Sequence, residues 1–175
     1  MRQPTTTLLI AATAATVIAC NSESVDFTNP TKPTTNNLVN FRADMRGSNE
    51  VPVNTSPGSG LFTATLDTVT NVFTYDIIFS GLTTPVNNGH IHGPAAVGVN
   101  SGTTVNFNTL AAATFSFGQL SGAAHGQVTL TSGTQITATV NGDSLKKLLY
   151  AGLTYANIHT TQNGGGEIRG QITRQ

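Results

Sequence analysis

A chain of 175 residues has room for one domain with a proper core and not for two of ordinary size. Charged residues make up 9% of it, eight basic against eight acidic. That balance leaves no electrostatic footprint for nucleic acid or an anionic membrane surface and argues against both as electrostatic partners. Abundant Thr, Asn, Ser and Gly, with no Trp, point to a β-rich extracytoplasmic protein whose surface is hydroxyl and amide rather than ionic.

The first residues, "MRQPTTTLLIAATAATVIAC", read as a short start bearing Arg2, an apolar run from Leu8 to Ala19, and small residues at its end. This is the form of a secretion signal over residues 1–19, too short to span a bilayer core of about 30 Å as a helix. The single cysteine, Cys20, closes the run in a Val17-Ile18-Ala19-Cys20 tetrad that resembles the bacterial lipobox. That resemblance implies cleavage before Cys20, lipidation of its thiol and anchorage in the cell envelope, facing periplasm or exterior. The alternative is an ordinary signal with an incidental cysteine, but a lone exported thiol has no disulfide partner. The polar stretch to Asn37, with Pro30 and Pro33 and no periodicity, reads as a tether over residues 20–37. The folded domain is expected over residues 38–175.

From Leu38 alternation dominates. Phe73, Tyr75, Ile77 and Phe79 fall on one face of an extended segment, with Thr74, Asp76 and Ser80 on the other. Phe62, Ala64 and Leu66 alternate likewise, and the turn-prone Asp67–Asn71 connection predicts an antiparallel hairpin. Further strands are expected at Val39–Met45, around His90–His92, at Thr104–Phe107, at Thr114–Leu120, over Val128–Val140 in one or two pieces, at Tyr155–His159 and at Glu167–Thr173. One short helix is expected near residues 143–151, where Asp143 or Ser144 caps a stretch carrying Leu145, Leu148 and Leu149, with Gly152 placed to stop it. Many short strands and a single helix predict an all-β fold, an antiparallel Greek-key sandwich or barrel.

Three segments repeat one geometry. His90 and His92 flank Ile91, Asn157 and His159 flank Ile158, and Glu167 and Arg169 flank Ile168. In a strand, residues at i and i+2 share a face, so each segment turns one isoleucine one way and its polar pair the other. If the three polar faces meet, imidazoles, a carboxylate and a guanidinium form one cluster, with Glu50 of "GSNEVP" joining from a loop.

Two readings follow. In one, Glu50, Glu167 and Arg169 form a structural polar network and the histidines donate to backbone carbonyls. In the other, His90, His92 and His159, with Glu167, hold copper or zinc, since imidazole nitrogens plus a carboxylate or water suit either ion. His125, among small residues near a turn, is expected to be exposed. No Gly-x-Ser-x-Gly elbow singles out a nucleophile, and the Gly164–Gly166 run reads as a turn into a strand rather than a phosphate cradle. The residues themselves show no catalytic centre.

The runs "GSNEVPVNTSPGSGLFTATLD", "FTYDIIFSGLTTPVNNGHIHGPAAVGVNSGTTVNF" and "LLYAGLTYANIHTTQNGGGEIRGQI" resemble, in order and spacing, the chordin-type domain known as CHRD, over about Leu38 to Gln175. The resemblance implies an extracytoplasmic β-sandwich or barrel, found in bacterial exported proteins and in animal chordin. It brings no assigned activity and no metal. One departure is the single proline of "EVPV", where the family commonly has two. A narrower similarity, to copper-zinc superoxide dismutases, is limited to the His-x-His pair and the β architecture, and dismutase activity does not follow from it.

The leading expectation is therefore a membrane-tethered binding or structural module for a protein or glycan ligand, with a copper- or zinc-binding protein as the alternative.

Overall fold

The computed structural model describes residues 36–110 and 113–175; the expected signal, Cys20 and nearly all of the tether lie outside them. The fold begins at Leu38, where the alternation begins. β1 (Leu38–Arg46), β2 (Ser59–Asp67) and β3 (Val72–Ser80) form a meander with continuous antiparallel register, from Leu38 opposite Asp67 to Arg46 opposite Ser59. The β2–β3 turn is the one expected: the Asp67 carboxylate accepts the N–H groups of Val69 and Thr70 at 2.8 and 3.1 Å, and Asn71 adopts a positive φ of 58°.

β4 (Val86–His92), β5 (Thr103–Asn106), β6 (Thr114–Phe115), β7 (Gly122–Thr129), β8 (Thr154–Thr160) and β9 (Ile168–Arg174) complete one sheet in the order β5-β4-β8-β9-β1-β2-β3-β7-β6. β9 returns beside β1, giving the order β9-β1-β2-β3 of a Greek key. The sheet curls until its far parts meet. Val86 donates to the Gln119 carbonyl at 3.0 Å and accepts from the Gly118 N–H at 2.9 Å, stitching β4 to the segment between β6 and β7.

Inside the curl lie the alternating apolar positions, among them Phe41, Met45, Phe62, Leu66, Phe73 and Ile77, all within 2% of complete burial. Each such side chain contributes about 1.5–3 kcal/mol. α1 (Gly142–Tyr150) packs Leu145 and Leu149 against this core, with Leu148 half-buried. Its cap is Asn141, whose side chain accepts from the Ser144 N–H at 2.9 Å, two or three residues earlier than the Asp143 or Ser144 expected.

Two expectations are corrected. The strand expected over Thr114–Leu120 is paired only at Thr114 and Phe115, because the chain turns at Gly118. The strand expected over Val128–Val140 instead starts at Gly122 and ends at Thr129, and the later residues form a loop with one isolated bridge between Gln135 and Asn141. "GAAHGQ" lacks the β-branched and aromatic residues that advertise a strand. The structure explains the small residue: a Cβ at Gly126 would collide with the Tyr75 ring, which is fully buried and donates its hydroxyl to the Phe107 carbonyl at 3.2 Å.

Candidate metal centre

β8 lies between β4 and β9, with His90 opposite Asn157, His92 opposite Tyr155, and Asn157 opposite Arg169. Ile91, Ile158 and Ile168 fill the core side of these strands and are fully buried. The other side is polar, as the period of two requires. It gathers His90 and His92 from β4, Tyr155, Asn157 and His159 from β8, and Arg169 from β9.

Glu167 does not join them. β9 begins only at Ile168, after Gly166 at φ 132°, so the alternation that would set Glu167 on the face of Arg169 starts one residue too late. The Glu167 carboxylate accepts instead from the hydroxyls of Ser56 at 2.6 Å and Thr160 at 2.5 Å and from the Thr83 N–H at 2.6 Å. Burial raises its affinity for a proton, but these three donors outweigh that and hold it below the usual carboxylate range. Glu167 is thus a loop clamp, neither a ligand beside the histidines nor a partner of Arg169.

Arg169 is 2% exposed. Its guanidinium lies 3.4 Å from the centre of the Tyr155 ring and donates to Asn100 Oδ1 at 2.9 Å and the Val99 carbonyl at 2.7 Å. Tyr155 in turn stacks on the His92 ring, centroids 4.8 Å apart and 6° from parallel. The 99–101 segment is thereby pinned over the site. Glu50 reaches the site from the loop before β2. Burial pushes its carboxyl up to about 7, against the opposing influence of the Arg169 charge and the Asn157 side chain.

The three imidazoles are in contact. His90 and His159 have ring centroids 4.8 Å apart, His90 and His92 5.1 Å, and His92 and His159 6.0 Å, and one ring nitrogen from each falls within 4.8 Å of the others. Their partners fix the tautomers. His92 Nδ1 lies 2.9 Å from the Ser101 carbonyl and His159 Nδ1 2.9 Å from the Gly164 carbonyl. A carbonyl only accepts, so both Nδ1 atoms carry the proton and both Nε2 atoms present lone pairs. His90 Nδ1 sits 2.9 Å from His159 Nε2 and donates to it. His92 Nε2 is buried with no hydrogen-bond partner.

All three rings are held toward the neutral form. Burial lowers His90 to about 4, helped by His159 and His92, and burial also lowers His92 and His159. His92, neutral with its Nδ1–H tied to a backbone carbonyl and its Nε2 free, is oriented as a metal-binding histidine is, and His159 differs only in accepting from His90. A cavity of about 420 Å³ lined by Asn87, Asn88, His90, His159 and Gly164 opens the cluster to solvent.

His90, His92, His159, Glu50 and Arg169 are therefore brought together as their spacing suggested, and Glu167 is not. His125 is exposed as expected, though on β7, where it pairs with Asp76 across the sheet at 2.8 Å. Sequence reading passed over Tyr155, whose place two residues before Asn157 in "YANIH" already set it on the polar face.

The arrangement is that of an all-β domain, one curled antiparallel sheet with a polar layer on one end of its outer side. The CHRD domain model matches residues 41–172, and the chain belongs to the CHRD family. Neither the curated proteins nor the solved structures supply a match.

Proposed function

We propose that this CHRD domain is an extracytoplasmic binding module, tethered to the bacterial envelope by lipid on Cys20, and that its polar face binds a copper or zinc ion through His90, His92 and His159. One observation carries the metal reading. His92 Nε2 is buried, lacks any partner and shares a 4.8 Å cluster with ring nitrogens of two other imidazoles. A histidine kept only to pin loops would satisfy the second nitrogen as well as the first, because a buried unpaired polar atom costs about 1–3 kcal/mol.

Two nitrogens each about 2.0–2.1 Å from one ion lie roughly 2.9–3.4 Å apart over the bond angles that copper and zinc accept. The 2.9 Å between His90 Nδ1 and His159 Nε2 falls at the lower end of that range. A bound ion would cross-link β4 to β8 and replace the His90 donor bond, the His90 proton moving to the other ring nitrogen. The neutral surface rich in Thr and Asn suits a protein or glycan ligand beside it.

Dialysis of chelator-stripped protein against copper or zinc tests the reading. We expect about one equivalent in the wild type and loss of it in His92→Ala and His159→Ala; uptake indifferent to both substitutions would sink it. The tether is tested separately: Cys20→Ser releases the protein from membranes, and unchanged membrane association would contradict lipidation.

A further inference from the structure

Besides His92 Nε2, a further acceptor in this layer, Asn157 Oδ1, is buried without a hydrogen-bond partner. Asn157 is 2% exposed and Glu50 4%. The Asn157 side chain lies against Glu50 on one side and His92 on the other. Gly166 shows which end of the amide faces which neighbour. A Cβ on Gly166 would stand 2.7 Å from Asn157 Nδ2 and collide with Glu50 Oε1, so the amide nitrogen and the carboxylate sit together over that glycine. The amide oxygen is left to face His92.

His92 cannot donate to that oxygen, because its one proton is on Nδ1 and is given to Ser101. While His92 is neutral with its proton on Nδ1, the contact between its Nε2 and the Asn157 amide oxygen therefore brings two buried lone pairs together. A cation between the two atoms satisfies both.

We infer that Asn157 supplies the fourth ligand of the centre, through Oδ1, making the set three imidazole nitrogens and one amide oxygen. This rests on the metal reading above. Such a set suits copper in particular, which accepts a weak amide-oxygen ligand beside nitrogen donors. Carbonyl oxygen also keeps the site neutral, so a divalent ion there carries its full charge next to Glu50, the only carboxylate among the described residues found in this layer.

The experiment compares wild type, Asn157→Leu and Asn157→Asp as full-length proteins, each titrated with Cu2+ and with Co2+, whose visible absorption reports the number of ligands. We expect Asn157→Leu to lose about 10- to 100-fold in affinity and to change the Co2+ spectrum, while Asn157→Asp, which keeps an oxygen at that place, binds at least as tightly as wild type. If wild type binds and Asn157→Leu matches it in both affinity and spectrum, Asn157 is no ligand, a water fills the gap between the lone pairs, and the three-histidine reading stands. If wild type takes up neither ion, the three-histidine reading fails and this inference with it. Thermal unfolding of the metal-free proteins identifies a variant that has lost its fold; Asn157→Ser, small and still polar, then replaces it, with loss of affinity again expected and unchanged affinity again overturning the inference.

Discussion

The Arg169 guanidinium lies 3.4 Å from the centre of the Tyr155 ring, deep in a layer where each is almost wholly buried. The contact ties β9 to β8 on the face opposite the hydrophobic core, and it supports the stack of Tyr155 on His92. A buried cation is tolerable here because its donors meet Val99 and Asn100 and its face meets an aromatic ring.

Arg169→Met is accordingly expected to cost about 2–4 kcal/mol, losing two charge-assisted hydrogen bonds and the cation–π contact. Arg169→Lys does not restore it, since an ammonium cannot serve Asn100, Val99 and the ring at once. Urea denaturation of the three proteins measures this, and near-equal midpoints would show that the layer does not depend on the guanidinium.

Glu167 separates stability from metal binding. Glu167→Gln weakens acceptance from Ser56, Thr160 and Thr83. We expect a loss of about 1–3 kcal/mol in stability with unchanged affinity for copper or zinc. A loss of affinity at full folding would return Glu167 to the ligand set.

The pH dependence of stability has two limbs of opposite sign. The three histidines take up protons less readily folded than unfolded, His90 near 4 against an ordinary value of 6.5. Their full stability is present above pH 6.5 and falls as the pH drops below it, for His90 until about 4. Glu50 acts the other way, with a folded value of about 7 against 4.5, so its contribution is full below pH 4.5 and is lost as the pH rises through 7. Glu50→Gln removes that second limb. Relative to wild type, the variant gains stability between pH 4.5 and 8, on the order of 3 kcal/mol at the limit. Parallel stability curves for the two proteins would place Glu50 in a solvated setting instead.

Gly126→Ala tests the fold itself. The added methyl meets a Tyr75 ring that cannot retreat, being held by Phe107 and stacked on Phe62 at 6.3 Å. Overpacking of this kind costs about 1–3 kcal/mol, read as a lower thermal midpoint.

Much of this was legible in the sequence wherever side-chain period and strand coincide. "VFTYDIIFS" shows its two faces directly, and "HIH" and "NIH" reveal theirs because one isoleucine stands between the polar residues. The β7 strand was not legible, since what makes Gly126 necessary is the ring of Tyr75, fifty-one positions away along the chain. Glu167 was misplaced for a local reason. The rule that i and i+2 share a face holds only within a strand, and the Gly166 backbone, with φ 132°, breaks the strand just before it. The tautomers of His92 and His159 depend on carbonyls in loops that no pattern announces. They are also what distinguishes a ligand from a pin.

The most direct test of the metal centre is anomalous diffraction from crystals equilibrated with copper or zinc. We expect a single strong peak on the polar face of β4 and β8, about 2.0–2.1 Å from His92 Nε2 and from His159 Nε2. An ordered imidazole cluster with no anomalous density there, at a metal concentration that saturates the protein in solution, would contradict it.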